Sequence, residues 1–453
     1  MIAELRTDPD TYVLPLWFVL VRRRFRVWST ADLKRYQDHR LRQIVKYAVR
    51  RAPLYRDLYA GHDLNDVWRL PIINKKLLID ALSQANTLGL SREEVFQFCA
   101  DVERSRDFTR RYRGLTIGMS SGTSGNKGVE ITSPHEERYL RTAFLARFPF
   151  IPGEKMNLAF ILRVSTPAFS LNRFGHRLTY VDQLRPLDEM IFQINNLHPN
   201  VISGPASMLK LLAQQAAQGK LTARPKRLIS YAEVLYPEDR EYLQRVFRAE
   251  VHEIYKATEG AIAMSCRVGS LHINEDLVAV ETLDASGRPT AAGEPCHRLV
   301  VTDLHKMSVP IIRYALNDII TISPHRCACG SAFRVITQIQ GRSDDMLWAR
   351  RIRDNRWQPI FPDYIRRSVI TASDAITDYQ VIQDQPEKFT VRLAPRGDDR
   401  IADAVRLNIQ RTFMRFGCAA PSVQVRWESP VPNKNSGKLI RIHRGFADPT
   451  IHN

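Results

Sequence analysis

The residues with the clearest chemical potential form a run of hydroxyls and glycines at 120–128, Ser-Ser-Gly-Thr-Ser-Gly-Asn-Lys-Gly. Glycine lets the backbone approach a ligand closely, and successive backbone N–H groups can enclose an anion. The hydroxyls add donors, and Lys127 adds a positive charge that suits phosphate. The run lacks the spacing of the NTPase P-loop, and residues 128–132 alternate like a strand. It predicts a phosphate-binding loop before a strand, with a plain mobile loop as the alternative.

Four shorter segments follow this run. They are Tyr-Lys-Ala-Thr-Glu at 255–259, Arg-Tyr-Ala-Leu-Asn-Asp at 313–318, Gly-Arg-Ser-Asp-Asp at 341–345 and Ser-Gly-Lys-Leu-Ile-Arg at 436–441. In this order, and together with the first run, they resemble the motifs of the adenylate-forming superfamily over roughly residues 30 to 445. Lys256 departs from the pattern, which usually has glycine at that position.

Two further patterns resemble the branch of phenylacetate–CoA ligase and coenzyme F390 synthetase. They are Tyr-Arg-Asp-Leu-Tyr at 55–59 followed by Leu-Pro-Ile-Ile-Asn-Lys at 70–75, and Cys-Ala-Cys-Gly at 327–330. Residues 163–176 depart from this branch, because they contain one glycine where its ligases have a glycine-rich stretch. The resemblance therefore does not indicate which acid is the substrate.

The resemblance implies an ATP- and Mg²⁺-dependent acid–thiol ligase. Such an enzyme joins a carboxylate to the α-phosphorus of ATP, expels pyrophosphate and then transfers the acyl group to a thiol. Charge builds on the phosphoryl oxygens in the first step, so the protein has to position the reactants and stabilise that charge. The expected partners are a small carboxylic acid, ATP, and CoA or a carrier-protein thiol, with CoA as the preferred acceptor.

The resemblance also gives each motif residue a role. The residues expected to bind the ATP phosphates are Ser120, Ser121, Gly122, Thr123, Ser124, Gly125 and Lys127. The other expected nucleotide contacts are Ala232 and Glu233 at the adenine, Asp318 at the ribose, and Tyr255. Thr258 and Glu259 are assigned to catalysis, with Thr258 bonded to a phosphate and Glu259 holding Mg²⁺, a hard cation that prefers carboxylate oxygen. Lys438 would be the catalytic lysine and Asp344 the hinge between two domains.

Other functions stay open at this point. The chain could stop at AMP transfer, as coenzyme F390 synthetase does, or load a carrier protein, or form an amide. A different class would be a basic membrane- or partner-binding protein on an inactive ligase fold, and Lys256 keeps that alternative open. The retained Glu259, Asp318 and Lys438 favour an enzyme.

Three cysteines and one histidine could hold a metal ion. Cys266, His272, Cys327 and Cys329 are a ligand set of the structural zinc type. Their intervals differ from those of a zinc finger, so buried core cysteines are the alternative on spacing alone. Relatives in the resembled branch carry a similar arrangement, which implies structural Zn²⁺. Because four protein ligands leave no open position, such an ion would not be catalytic.

The pattern of apolar residues predicts an α/β fold in two domains. A chain of 453 residues exceeds one typical core. Short apolar runs alternate with helical segments from about 115 to 340, which favours layered sheets with mainly parallel pairing. The pattern changes after Gly341 to a small α+β arrangement. We expect a large adenylate-forming domain at 1–343 and a small mobile domain at 344–453 that carries Lys438.

The chain is strongly basic, with 66 Lys+Arg against 48 Asp+Glu and a net charge of +18. This charge favours anionic partners such as ATP and CoA. No recognition motif accompanies it, which argues against specific nucleic-acid binding. The apolar segment 12–21 precedes a run of arginines and is too short to span a bilayer. A buried segment followed by a solvated basic helix is the favoured interpretation, and peripheral membrane contact is the alternative. Six cysteines without a signal sequence favour the cytoplasm.

Overall fold

The structure is a computed structural model that describes residues 10–119, 128–148, 154–162, 175–342, 346–432, 439–447 and 449, apart from the side chains of residues 10–15, 342 and 363. The described residues divide into two units. The larger contains residues up to Leu316 together with Thr321–Gln338, and the smaller contains Asn317–Ile320 together with residues from Ile339 onward. A domain boundary at residue 343 stays a prediction.

The described chain begins with helices. They are α1 (Asp10–Val27), α2 (Thr30–Arg51), α3 (Pro53–Leu58), α4 (Lys75–Asp80), α5 (Leu82–Ala85) and α6 (Arg92–Ser105), with a 3-10 helix at Val67–Arg69. The predicted amphipathic helix is α2, and it begins with a capping box in which Ser29 and Asp32 bond each other's backbone N–H. The apolar face of α2 packs into a core with Tyr55, Ile73 and Ile131.

Helix α1 contradicts the first part of the favoured interpretation, a buried apolar segment. The second part is confirmed, because Lys34, Arg35 and Lys46 of the basic helix α2 are exposed. Val21 is fully buried, but Leu16 and Val19 are 58% and 59% exposed. Arg24 is turned inward and donates a hydrogen bond of 3.0 Å to the Tyr139 hydroxyl. Among the residues that the structure describes, the protein therefore covers one side of this helix only. Within the described parts of the chain, no helix combines the length and the apolar content that a membrane crossing needs.

Alternating strands and helices form the rest of the larger unit. In chain order they are β1 (Thr116–Met119), β2 (Val129–Thr132), α7 (Pro134–Arg147), β3 (Asn157–Leu162), β4 (Arg177–Asp182), α8 (Leu187–Leu197), β5 (Val201–Gly204), α9 (Ala206–Ala217), β6 (Arg227–Tyr231), α10 (Pro237–Phe247), β7 (Glu250–Ala257), β8 (Gly260–Ser265), β9 (Leu271–Ile273), β10 (Val278–Leu283), β11 (Arg298–Asp303) and β12 (Tyr314–Leu316). Two strands, β13 (Asp318–Ile322) and β14 (Val335–Arg342), run across the division into the smaller unit.

A nine-stranded sheet with the order β13-β14-β9-β8-β7-β6-β5-β3-β4 organises these elements. The strands from β4 to β7 pair in parallel, and β7, β8, β9 and β14 pair antiparallel. Helices α8, α9 and α10 supply the crossovers and pack Ile194, Leu209 and Leu243 against the parallel strands. The predicted α/β class is confirmed. The expected predominance of parallel pairing is wrong, because among the described strands between 115 and 340 four pairs are parallel and at least six are antiparallel. Smaller antiparallel sheets join β1 with β2 and β10 with β11 and β12.

The smaller unit is an α+β domain, as predicted. Its further elements are β15 (Leu347–Arg350), β16 (Trp357–Ile360), α11 (Pro362–Ile370), β17 (Asp378–Gln385), β18 (Lys388–Ala394), α12 (Asp399–Arg415), β19 (Ser422–Arg426) and β20 (Ile442–Arg444). Four of the strands form a sheet with the order β19-β18-β17-β20. Phe389 of the sheet and Phe413 of α12 meet edge to face at 5.1 Å between ring centroids, inside one core.

Candidate nucleotide site and metal centre

Strands β1 and β2 flank the predicted phosphate loop. They pair antiparallel with Thr116 opposite Thr132 and Met119 opposite Val129. The Thr116 hydroxyl donates to a Glu137 carboxylate oxygen at 2.8 Å, which ties the hairpin to α7. The strand expected after Lys127 is confirmed as β2. The loop residues themselves, Ser120, Ser121, Gly122, Thr123, Ser124, Gly125 and Lys127, lie outside the described residues, so their roles stay predictions.

Thr258 and Glu259 form the tight turn between β7 and β8. The Thr258 hydroxyl donates to Glu259 Oε2 at 2.7 Å, and the Glu259 side chain is buried. Burial and the neighbouring Glu259 carboxylate raise the pKa of Tyr314 above its ordinary value, so its hydroxyl stays protonated beside that carboxylate. Lys306 Nζ donates to the Thr258 carbonyl at 2.9 Å. The structure thus brings the two predicted catalytic residues together and adds Lys306, which no sequence motif marks.

Gly260 follows this turn at a place where a larger residue would fit tightly. A Cβ atom there would lie 3.2 Å from Val278 Cγ1 and 3.4 Å from Asp303 Oδ2. The first distance is tight for two carbon atoms, and the neighbouring strands leave little room to move. The close approach of β8 to these strands therefore fixes where Glu259 stands.

Lys256, the residue that departs from the motif, forms a part-buried ion pair. Its Nζ lies 2.6 Å from Glu130 Oε2 on β2 and donates to the Ala257 carbonyl at 3.3 Å. Burial alone would lower the pKa of Lys256, but the Glu130 carboxylate outweighs it and raises that pKa. Lys256 and Lys306 in turn lower the pKa of Glu130 against the effect of burial. The pair joins the strand after the phosphate loop to the strand before the Thr258–Glu259 turn.

Replacing Lys256 by methionine is expected to destabilise the protein by about 2 kcal/mol, because the part-buried Glu130 carboxylate would lose its hydrogen-bonded cation and keep only Lys306 nearby. Replacing Glu130 by glutamine as well should restore most of this loss, since the charge is then removed. Urea unfolding followed by circular dichroism measures both changes. The control is Lys76→Met, which breaks an exposed ion pair with Asp80 and should change stability by less than about 1 kcal/mol. Equal losses for Lys256→Met and the double variant would contradict this account.

The predicted adenine segment follows β6. Because β6 and β7 run parallel, the ends of both strands lie at the same edge of the sheet, where open α/β sheets bind ligands. Ala232 has a φ of 71°, in the left-handed region that residues other than glycine seldom adopt. Glu233 Oε2 accepts from the Ser207 backbone N–H at 2.9 Å, near the start of α9. This bond anchors the segment beside the Thr258–Glu259 edge.

The remaining predicted residues occupy separate positions. Tyr255 lies on β7, three residues before Thr258, and Asp318 is the first residue of β13. Their roles as cofactor contacts stay predictions. Asp344, the predicted hinge, and Lys438, the predicted catalytic lysine, lie outside the described residues.

The four predicted metal ligands converge on one point. Their ligand atoms, from Cys266, His272, Cys327 and Cys329, all lie within 4.8 Å of one another. Cys266 follows β8, His272 lies on β9, and the other two lie in the loop between β13 and β14. Val335 of β14 pairs with His272, so strand pairing carries this loop to the hairpin. Residues 61 positions apart in sequence, Cys266 and Cys327, therefore become neighbours.

The distances fit a tetrahedral ion. Zinc lies about 2.3 Å from sulfur and about 2.0 Å from nitrogen, so tetrahedral angles place two sulfurs about 3.8 Å apart and sulfur about 3.6 Å from nitrogen. The Cys266 and Cys327 sulfurs are 3.8 Å apart, and Cys329 Sγ lies 3.4 Å from His272 Nε2. The first distance is also far too long for a disulfide bond. The arrangement suits an ion with four protein ligands.

The protonation of His272 agrees with this geometry. His272 Nδ1 lies 2.8 Å from the Phe333 carbonyl, to which it donates, and this leaves Nε2 as the coordinating atom. Burial lowers the pKa of His272, which keeps the imidazole neutral at pH 7. Burial also raises the pKa of the Cys266 thiol and raises that of Cys329 to about 12. A bound zinc ion would reverse both thiol shifts, because it deprotonates a coordinating thiol.

Helix α1 covers this metal centre. The Phe25 ring meets the His272 ring edge to face at 5.2 Å between centroids, and it meets Phe333 in the same way at 5.3 Å. The Arg147 guanidinium lies over both phenylalanine rings and forms a buried ion pair with Asp276. Sequence analysis missed Phe25, because nothing in a basic N-terminal segment indicates a contact 247 residues away.

No family model matches the chain. Sequence comparison with curated proteins finds phenylacetate–coenzyme A ligases. That of Thermus thermophilus is 26% identical over 376 residues, which are 77% of this chain and 78% of the relative. That of Escherichia coli is 24% identical over 382 residues, 78% of this chain and 79% of the relative. The chain is a homologue of phenylacetate–coenzyme A ligases. The resemblance to that branch is thereby confirmed, and its coenzyme F390 synthetase part stays a prediction.

Solved structures give the fold. A 2-hydroxyisobutyryl-CoA ligase in the postadenylation state matches with a TM-score of 0.70 at 16% identity, over 95% of this chain and 92% of that chain. An anthranilate CoA ligase in complex with anthranoyl-AMP matches with a TM-score of 0.51 at 15% identity, over 71% of this chain and 65% of that chain. This homologue of phenylacetate–coenzyme A ligases therefore has the fold of adenylate-forming CoA ligases. The 2-hydroxyisobutyryl-CoA ligase has also been solved with an acyl-AMP and CoA together.

Proposed function

We propose that the protein is an ATP-dependent ligase that activates a carboxylic acid as acyl-AMP and transfers the acyl group to a thiol, preferably that of CoA. The observation that carries this proposal is the Thr258–Glu259 turn, with its Glu259 side chain buried, at the carboxyl edge of the parallel strands in a homologue of CoA ligases. The names of the relatives, phenylacetate–coenzyme A ligase and 2-hydroxyisobutyryl-CoA ligase, support an acid and CoA as substrates.

In the first step a carboxylate oxygen attacks the α-phosphorus of ATP, and the bond to pyrophosphate breaks. The Ser/Thr/Gly run at 120–128 would bind the leaving phosphates. Glu259 offers a carboxylate that suits Mg²⁺, which would neutralise charge on the phosphate oxygens. The Thr258 hydroxyl can turn from Glu259 towards a phosphate, and Lys306 holds the backbone of this turn. Ala232, Glu233, Tyr255 and Asp318 would bind the adenosine, and Lys438 would complete the site.

In the second step the thiol sulfur attacks the acyl carbonyl carbon, and AMP leaves with the electrons of the acyl–oxygen bond. A hinge at Asp344 would allow the small domain to rotate between the two steps. The net charge of +18 favours a phosphorylated acceptor such as CoA over an uncharged thiol.

All six cysteines are free of disulfides, which supports a reducing compartment such as the cytoplasm.

The experiment is a screen for pyrophosphate release. Aromatic, 2-hydroxy and fatty acids are supplied with ATP and Mg²⁺, with and without CoA, and acyl-CoA is detected by mass spectrometry. Pyrophosphate release with consumption of CoA thiol is the expected result for one class of acid. Release without thiol consumption, together with a stable AMP adduct, would favour the adenylyltransferase alternative. Failure to bind ATP with Mg²⁺ by calorimetry, and no release with any acid, would contradict the proposal.

Replacing Glu259 by glutamine is expected to raise the Mg²⁺ concentration that gives half-maximal pyrophosphate release at least about tenfold. Removing a group that only orients a metal ligand already weakens metal binding by about that factor, and Glu259 is expected to bind the metal directly. Glutamine keeps the shape of the side chain and removes the negative charge that a cation prefers. The measurement is a Mg²⁺ titration at saturating ATP. The control is Glu93→Gln, which changes an exposed side chain on α6 and should leave the titration unchanged. Identical curves for Glu259→Gln and the native protein would refute a magnesium role.

We further propose that Cys266, His272, Cys327 and Cys329 hold one structural Zn²⁺ ion. The clustering of their ligand atoms within 4.8 Å of one another and the hydrogen bond from His272 Nδ1 support this assignment. The ion would pin the β13–β14 loop to the β8–β9 hairpin, and β8 begins directly after Glu259. Its role would therefore be to fix the strands behind the catalytic turn.

A further inference from the structure

The solvent side of α1 carries an apolar stripe. An α-helix has 3.6 residues per turn, so positions 16, 19, 20, 23 and 27 lie on one face. The four apolar side chains among them are Leu16, Val19, Leu20 and Val27, and they are 58%, 59%, 38% and 65% exposed. The opposite face meets the protein, where Trp17 packs edge to face on Tyr139 at 5.3 Å and Val21 is buried. A helix that needs one apolar face for its own fold thus presents a second one to solvent.

Arginines border this stripe. Arg23 lies within the stripe. Arg22 and Arg26 lie along its edge, one helical turn apart. Arg23 and Arg26 are exposed. Neither Arg23 nor Arg26 forms an ion pair in the described part of the chain. Arg24, in contrast, is turned inward towards Tyr139. Apolar side chains beside unpaired arginines on one helix face are the pattern of a helix that lies in the plane of a membrane interface.

We propose that the exposed face of α1 docks the protein on an anionic phospholipid surface. Leu16, Val19, Leu20 and Val27 would enter the boundary between headgroups and acyl chains, and Arg22, Arg23 and Arg26 would meet the lipid phosphates. The choice of an anionic lipid follows from charge complementarity, because these arginines belong to a chain with a net charge of +18. The helix would lie along the surface without crossing it. This proposal is independent of the proposed ligase activity.

The test is co-sedimentation of the full chain with vesicles of phosphatidylcholine, alone or mixed with phosphatidylglycerol. Binding to the mixed vesicles alone is expected. Each basic residue near an anionic surface contributes about fivefold to partitioning, so Arg23→Glu/Arg26→Glu should weaken binding at least about 25-fold. Val19→Ser/Leu20→Ser should weaken it about tenfold or more, because apolar area no longer enters the interface. Circular dichroism and the thermal midpoint check that each variant is folded.

The matched control is Arg50→Glu/Arg51→Glu at the end of α2, where both arginines are also exposed. It makes the same change in net charge away from the stripe and should weaken binding far less. Equal weakening by both charge variants would overturn the proposal in favour of general attraction to a basic protein. Full binding by Val19→Ser/Leu20→Ser would overturn it as well. So would a lipid-free dimer that this variant dissociates, because a second copy would then cover the stripe.

Discussion

Replacing Cys327 and Cys329 together by serine is expected to abolish bound zinc and to destabilise the protein by at least about 3 kcal/mol. The free energy of zinc binding is about 10–16 kcal/mol in small zinc-finger peptides, which fold only with the metal. A large domain with its own core depends less on zinc for its stability, so we expect a smaller loss here. The loss would fall on β8, β9 and β14, which the four ligands connect. Metal content by mass spectrometry and urea unfolding of the purified protein measure the two effects.

The matched control for this prediction is Cys418→Ala. Cys418 is fully buried in the smaller unit, far in sequence from the ligand set. It should cost about 1 kcal/mol, the usual loss for a small core truncation, and leave zinc content unchanged. Native protein without zinc after purification in its presence would contradict the zinc assignment. So would a double variant that is as stable as the native protein.

The second large effect is expected for Lys438→Ala, which should lower acid-dependent pyrophosphate release about a hundredfold or more. That is the usual cost of losing one donor from a site that stabilises developing charge. Binding of ATP with Mg²⁺ should change little, because the resemblance places this lysine at the reacting carboxylate and α-phosphate. Single-turnover pyrophosphate release and calorimetry separate the two quantities.

Lys434→Ala is the control for this variant, because it removes a lysine from the same turn-rich segment. It should keep native turnover. If both lysine variants lose activity equally, the segment acts through its overall charge and Lys438 has no special role. Unchanged turnover in Lys438→Ala would remove the predicted catalytic lysine from the mechanism.

Local signals predicted much of this fold. The capping residues Ser29 and Asp32 mark the start of α2, and alternating apolar residues mark the strand after Lys127. The metal ligands could also be proposed, because cysteine and histidine are few and their chemistry is distinctive. Such features are readable because each depends on neighbouring residues or on rare residue types.

Contacts between segments that are distant in sequence could not be predicted from the sequence alone. Lys306 meets Thr258 only because a loop after β11 approaches the β7–β8 turn, and Lys256 meets Glu130 across 126 positions. Lysine and glutamate are common surface residues, so neither carries a signal of burial. The prediction that the apolar segment 12–21 is buried was wrong at Leu16, Val19 and Leu20 for a related reason. The apolar residues of α1 indicate that the helix has covered faces. They do not indicate how many of these faces are covered by the rest of the protein.

The contact of Phe25 with both His272 and Phe333 ties the first helix to the ion-binding quartet. Two equilibria that share a contact must influence each other by the same factor in both directions. An interaction that stabilises the docked position of α1 would raise the affinity for the ion. Loss of the ion would in turn destabilise the docked position of α1. A shortage of metal would then change the outer surface of the protein through the ring of Phe25.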